Sequence, residues 1–152
     1  MSSKHDENET LSACIDWKTG EALVAAELLR RGVHVAYPAY DDGVDLLAYH
    51  EQNFNRVVPI QVKARSHTCY NFQKSWFRID GLVLVQVWHT FTQPECYIFS
   101  EFPTHVEEAL GPHCGTDSWR VNGGFTVTNP SSDDIERMKP HRDKWERILE
   151  QL

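Results

Sequence analysis

Four polar residues in the first half of the chain stand where a folded protein would ordinarily place apolar ones: Glu21, Asp45, Gln61 and Lys63. The stretch from Asp16 to Gly32 reads as a helix, stopped by a glycine after two arginines. At about 100° per residue, Trp17, Val24 and Leu28 fall within roughly 60° of Glu21 on the helix wheel. Glu21 therefore lies in the middle of the apolar stripe, and Glu27 lies to its side. A carboxylate facing a core must be paired, protonated or bound to a cation. A salt bridge to a Lys or Arg at the core edge is the ordinary solution, so Glu21 alone does not indicate a site.

The next two segments place more polar groups beside it. In VVPIQVKAR, Ile60, Val62 and Ala64 alternate with Gln61 and Lys63, giving a strand with one apolar and one polar face. In GVDLLAY, Asp45 points opposite to Val44, Leu46 and Ala48. A hairpin whose paired residue numbers add to about 106 sets Asp45 opposite Gln61, with Lys63 as its diagonal neighbour. A one-residue slip would turn Asp45 to the other face. Two polar residues on a solvated sheet face are common; what distinguishes this pair is the expectation that the face meets the helix carrying Glu21. Two carboxylates, an amide and an ammonium at one place suit metal-assisted phosphodiester hydrolysis. Carboxylates hold a hard cation such as Mg²⁺ (or Mn²⁺), and a lysine orients water or stabilises developing charge.

The runs GEALVAAELLRRG, DDGVDLLA and PIQVKAR resemble the N-terminal half of the PD-(D/E)XK nuclease superfamily, nearest its small Holliday-junction-resolvase-like members. The resemblance covers roughly residues 17–65, and Glu21, Asp45, Gln61 and Lys63 match position by position. It implies an α/β fold, a restriction-endonuclease-like αβββαβ core with a mixed β-sheet flanked by helices. The implied site lies where the second and third strands diverge. Glu21, Asp45, the Gln61 side chain and the Val62 backbone carbonyl would be metal ligands, and Lys63 would position the attacking water. Cleavage of DNA, branched DNA included, would leave a 5′-phosphate, and many relatives act as homodimers. Two departures stand out. Val44 occupies the place of the name-giving proline, and Gln61 replaces the commoner acid, which removes one negative charge from the site. The later runs KSWFRIDGLVLVQVW and PHRDKWERI resemble the same group without adding functional residues.

Composition narrows the partners. The chain has 152 residues, 41 % hydrophobic and 24 % charged, with a net charge of −7. That is one domain, expected over residues 11–152 behind a disordered tail at residues 1–10. Charge is uneven: −5 over residues 1–50, +4 over 51–79 and −6 over 80–152. An acidic chain makes a poor non-specific nucleic-acid coat, but Arg56, Arg65, Lys74 and Arg78 in the basic middle, with Lys63, are candidates to face phosphates. A solvated cationic face explains them equally well. No apolar run approaches the ~18 residues needed to cross a bilayer. MSSKHDENET has no apolar leader-like run, and four sparse cysteines suit reduced thiols, so a cytoplasmic location is expected.

Other motifs are weaker. His67-Thr68-Cys69 and His113-Cys114 lack the spacing of a zinc site. No P-loop, G-x-S-x-G or G-x-G-x-x-G is present. Asp41-Asp42-Gly43 reads as a polar turn rather than a second metal site. Trp17, Trp88 and Trp145 fit core stripes, and Trp76 is the one tryptophan in the basic stretch. Strands are expected at Val33–Tyr37, Gly43–Tyr49, Val57–Ala64, Leu82–Trp88 (central) and Glu95–Ser100. His50–Arg56 is expected as a loop, Pro103–Leu110 as a helix, and Trp119–Val127 as a hairpin about Asn122-Gly123. Ser131 with Asp134 forms a capping-box pattern ahead of the stripe Trp145, Ile148, Leu149, Leu152. Segment 66–81 is ambiguous, and no helix is evident after the third strand. The alternatives to a nuclease are a non-catalytic nucleic-acid-binding or protein-interaction module on the same fold, and a plain α/β domain in which Glu21 pairs with Lys63.

Overall fold

A computed structural model describes residues 3–152, with side chains from residue 13 onward. Helix α1 (Ser3–Arg30) opens the fold. Its backbone is helical well before Asp16, and positions 1 and 2 of the expected tail lie outside the described residues. Strands β1 (His34–Ala36), β2 (Leu46–His50) and β3 (Asn53–Ala64) follow as an antiparallel meander. Strand β4 (Tyr70–Gln73) and a 3-10 turn (Lys74–Arg78) lead into β5 (Val83–Trp88) and β6 (Glu95–Phe99). The main sheet has the order β1-β2-β3-β5-β6, with β3 and β5 parallel and the other pairs antiparallel. A parallel pair needs a crossover of a dozen or more residues. Here β4 and the 3-10 turn make it, in place of a full helix, which accounts for the ambiguity of segment 66–81.

Helices cover both faces, so all six residues of β5 are buried. On one face, Ile60, Val62 and Ala64 of β3 and Val83, Val85 and Val87 of β5 pack against Val24, Ala25 and Leu28 of α1. Trp145 and Ile148, at the start of and within α5 (Glu146–Leu149), complete that layer. The opposite face holds Leu84, Trp88, Tyr97 and Phe99 against β4, Trp76 and helices α2 (Thr104–Leu110), α3 (Asp117–Arg120) and α4 (Ser132–Met138). Alpha1 sits unusually close to β3. A Cβ added at Gly20 would lie 2.1 Å from the Ala64 Cβ, so only glycine admits this approach.

Three expectations change. His50–Arg56 is not a loop: the turn is confined to Glu51 and Gln52, and β3 begins at Asn53. The Tyr49 ring stacks on His34 at 5.6 Å and meets a tilted Phe54 ring at 5.5 Å, and this cross-strand contact outweighs the polar composition. Asn122-Gly123 does not turn a local hairpin. Thr116 caps α3, its Oγ1 accepting from the Trp119 amide at 3.3 Å, and β7 (Gly124–Val127) then pairs with the distant β4. Trp17 leaves the core, with 46 % of its surface exposed. The capping box at Ser131 and Asp134 forms as read. Among the described residues no helix is long and apolar enough to cross a membrane.

Candidate active site

The β2–β3 register sets Leu46 opposite Ile60, so Asp45 falls opposite Gln61 just before β2 begins. The Asp45 amide still donates to the Ile60 carbonyl at 2.8 Å. Beyond it the strands part, and the Asp45 side chain continues the ladder in place of backbone: its Oδ2 accepts from the Val62 amide at 2.7 Å and from Gln61 Nε2 at 2.5 Å. Gln61 Nε2 also donates to the Val62 carbonyl at 3.3 Å. With two acceptors around it, the nitrogen rather than the oxygen of Gln61 must face Asp45. Gln61 therefore orients Asp45, and its Oε1 lies on the Gly43 side, 3.8 Å from where a Gly43 Cβ would stand. The Asp41 side chain accepts from the Gly43 amide at 3.2 Å in an Asx turn, with Gly43 at φ +81°.

Glu21 reaches this place by another route than expected. Alpha1 packs on the apolar face of β3, so Gln61 and Lys63 face away from it. Glu21 instead meets Asp45 past the open end of the sheet, where Lys18, Glu21, Tyr37, Asp41 and Asp45 line one cleft of about 110 Å³. Glu21 is only 8 % exposed, and Lys18 Nζ donates to both its oxygens at 3.0 and 3.3 Å. The salt bridge a buried acid needs is thus made by Lys18, itself largely exposed, and not by Lys63.

Burial raises the Asp45 carboxyl above the usual carboxylate range. The Val62 amide opposes that rise, as does the Lys63 charge, while the charges of Glu21 and Asp41 add to it. A carboxylate raised by burial and by two neighbouring acids is what a bound cation would relieve. No cluster of three or more His, Cys, Asp or Glu with metal-binding geometry occurs among the described residues. The donor set fits a hard cation held through one or two carboxylates and otherwise by water, the usual manner of Mg²⁺.

Lys63 is half-buried on β3 beside Gln86 of β5, its Nζ 5.4 Å from the centre of the Trp76 ring. Among the described residues no carboxylate lies within salt-bridge distance of it. Trp76 is buried beneath this lysine and unavailable for stacking on bases. Of the other cations, Arg65 adjoins Lys63 in one cleft, and Lys74 and Arg78 line a second. Arg56 stands apart, seven residues back along β3, or about 23 Å at the strand rise. The structure adds Arg120, which the sequence offered no reason to select, because α3 and β7 bring it to Lys74 and Arg78 only through long-range pairing. His113 pairs with Asp134 at 2.7 Å, and Cys69 and Cys114 are free thiols.

No protein-family model and no curated protein matches the chain. Among solved structures it is similar to the Holliday junction resolvase Hjc of Archaeoglobus fulgidus, an archaeal hyperthermophile. The identity is 14 %, the TM-score 0.51, and the match covers 90 % of this chain and 97 % of that one. A bacterial homing endonuclease aligns at 14 % identity and a TM-score of 0.48, over 93 % of this chain and 92 % of that one. The likeness to the resolvase is one of fold: a mixed five-stranded sheet flanked by helices, the restriction-endonuclease-like architecture.

Proposed function

We propose that the protein is a divalent-metal-dependent DNA endonuclease, with Glu21 and Asp45 as metal ligands and Lys63 as the group that positions water and phosphate. The observation that carries this reading is the convergence of Glu21, from α1, and Asp45, from the start of β2, on one cleft, where the Glu21 charge adds to the rise of the Asp45 carboxyl. When bound, Mg²⁺ or Mn²⁺ supplies Lewis-acid neutralisation of the phosphoryl oxygens. The chain's own groups do the positioning. Gln61 and the Val62 amide hold Asp45 Oδ2, which leaves Oδ1 to turn toward the cleft. The Val62 carbonyl is a further oxygen donor at the same place. Lys63, held over Trp76, offers N–H donors to a phosphate oxygen and to the attacking water. That water adds to phosphorus as the bond to the 3′ oxygen breaks, giving a 5′-phosphate and a 3′-hydroxyl. Lys18 is largely exposed, so water can solvate its ammonium when a cation takes its place on Glu21. Arg65, Lys74 and Arg78 would contact the phosphate backbone, and Arg56 would do so only on a substrate long enough to reach it. A homodimer would double this small basic surface.

A second reading, a DNA-binding module without catalysis, is favoured by two details: Lys18 already neutralises Glu21, and Gln61 brings an amide where the commoner motif has an acid. Incubation with supercoiled plasmid and with four-way-junction DNA, in Mn²⁺ and in chelator, separates the two. Metal-dependent nicking, lost in Asp45→Ala and Lys63→Ala variants that remain folded, is expected. Wild-type nicking by either variant would overturn the assigned roles, and DNA binding without nicking would establish the second reading.

A further inference from the structure

Lys63 lines a cleft of about 210 Å³ on the polar side of the sheet, and a second cleft of about 800 Å³ abuts it. They share Asn71 and Gln73, which point out of β4 while Tyr70 and Phe72 point into the core, so the two form one continuous groove. Among the described residues five cations line it: Lys63 and Arg65, then Lys74, Arg78 and Arg120. Among the described residues no carboxylate lines either cleft, in a chain whose net charge is −7. Nor does any of the five make a salt bridge among the described residues, where most other cations do.

Three of these cations are held by indole rings instead. Lys63 lies over Trp76 at 5.4 Å, Lys74 over Trp119 at 5.0 Å and Arg65 over Trp17 at 5.8 Å. An aromatic face fixes a cation without neutralising it, so the positive charge stays available to a ligand. Trp76 and Trp119 are buried, but Trp17 is not, and it lines the groove beside Lys63. The far wall includes Gly123 and Gly124, which leave room there for a ligand.

We infer that this groove is a track for an unpaired DNA strand, with Trp17 as a base-stacking platform and Arg65, Lys74, Arg78 and Arg120 as phosphate contacts. The inference deepens the nuclease reading and rests on it only for placing the scissile bond near Lys63. A cationic groove with an exposed aromatic ring is the physical pattern of single-strand binding. In a duplex the base faces are covered by their neighbours and present nothing to an indole, whereas an unpaired base presents a whole face. The substrate class is therefore DNA with a single-stranded arm or a splayed branch, and not blunt duplex.

The test is fluorescence anisotropy in chelator, where nothing is cleaved, with labelled blunt duplex and the same duplex carrying a single-stranded arm of about 12 nucleotides, within the site sizes of such grooves. The armed duplex should bind at least about tenfold more tightly. Trp17→Ala should weaken the armed duplex by about tenfold, the loss of one stacked base, and leave the blunt duplex unchanged. Arg120→Ala should lower the slope of log affinity against log salt by about 0.7, one phosphate contact on a single strand. Circular dichroism melts confirm that both variants are folded. Equal affinity for the two duplexes, or equal losses on both in Trp17→Ala, would overturn the track even if duplex is cleaved. An arm preference that depends on Trp17 in a protein that never cleaves in Mn²⁺ would overturn the nuclease reading and leave the track standing.

Discussion

Gly20→Ala probes the contact that sets the position of Glu21. The added methyl would lie 2.1 Å from the Ala64 Cβ, where ordinary contact begins at 3.4 Å. Ala64 is buried in a paired strand and cannot retreat, so α1 must lift from β3 by about 1.3 Å, the difference of those two distances. Overpacking of this kind costs about 1–3 kcal/mol, against a helix-propensity gain of about 1 kcal/mol for replacing glycine by alanine. The net effect is a loss of up to about 2 kcal/mol, read in a thermal melt as a Tm lower by up to about 8 °C for a chain of this size. Glu21 is the next residue and moves with the helix. A displacement near 1 Å from productive geometry can reduce turnover about 100-fold, so Mn²⁺-dependent nicking should fall far more than stability does. On an exposed helix the same substitution would raise stability by about 1 kcal/mol. A higher Tm, or unchanged nicking in the folded variant, would refute the close docking of α1 and its role in placing Glu21.

Two further outcomes follow from charge. Asp45→Asn keeps an oxygen to accept from the Val62 amide and Gln61 while removing a carboxylate whose ionised form burial and Glu21 disfavour; it should raise the Tm at pH 7 and abolish cleavage. Because the Asp45 pKa is raised, the wild-type protein should lose stability as pH rises from 3.8 through the folded value, a loss absent in Asp45→Asn. Asp45→Ala, which strands the Val62 amide, should instead cost about 1–3 kcal/mol. His141 is fully buried against Phe99, with the Arg147 guanidinium 2.8 Å from its Nδ1, and burial pushes its pKa down to about 4. The unfolded chain takes up that proton near pH 6.5, so stability should fall by about 3 kcal/mol as pH drops from 6.5 to 4. His141→Phe should flatten that limb in denaturant titrations; an unchanged limb would assign it to other groups.

What the sequence shows depends on how local the cause is. The Asp45–Gln61 register was legible in strand alternation about a hairpin whose paired numbers add to about 106, although the connection is Glu51-Gln52 and not the expected loop His50–Arg56. The Ser131–Asp134 cap and the buried β5 were legible for the same reason, each being written in consecutive residues. The site's approach was not. Apolar alternation in β3 shows that one face is buried, yet it does not say that α1 takes that face and reaches Asp45 around the sheet end. The β4–β7 ladder joins residues more than fifty positions apart, so Arg120 and the groove it completes had no local signal. Trp17 fits the apolar stripe of the helix wheel, yet that stripe does not show how far the sheet beneath α1 extends, and the ring is exposed.

The central claim is that Glu21 and Asp45 share a cation. The most direct measurement is the thermal melt of wild type, Glu21→Gln and Asp45→Asn across a Mn²⁺ titration, with Ca²⁺ run in parallel. Saturation at about 100 times the dissociation constant should stabilise the wild type by about 2.7 kcal/mol, a Tm rise of about 5–10 °C, and neither variant should respond. A wild-type protein indifferent to Mn²⁺, or variants that gain as much as wild type does, would contradict the account.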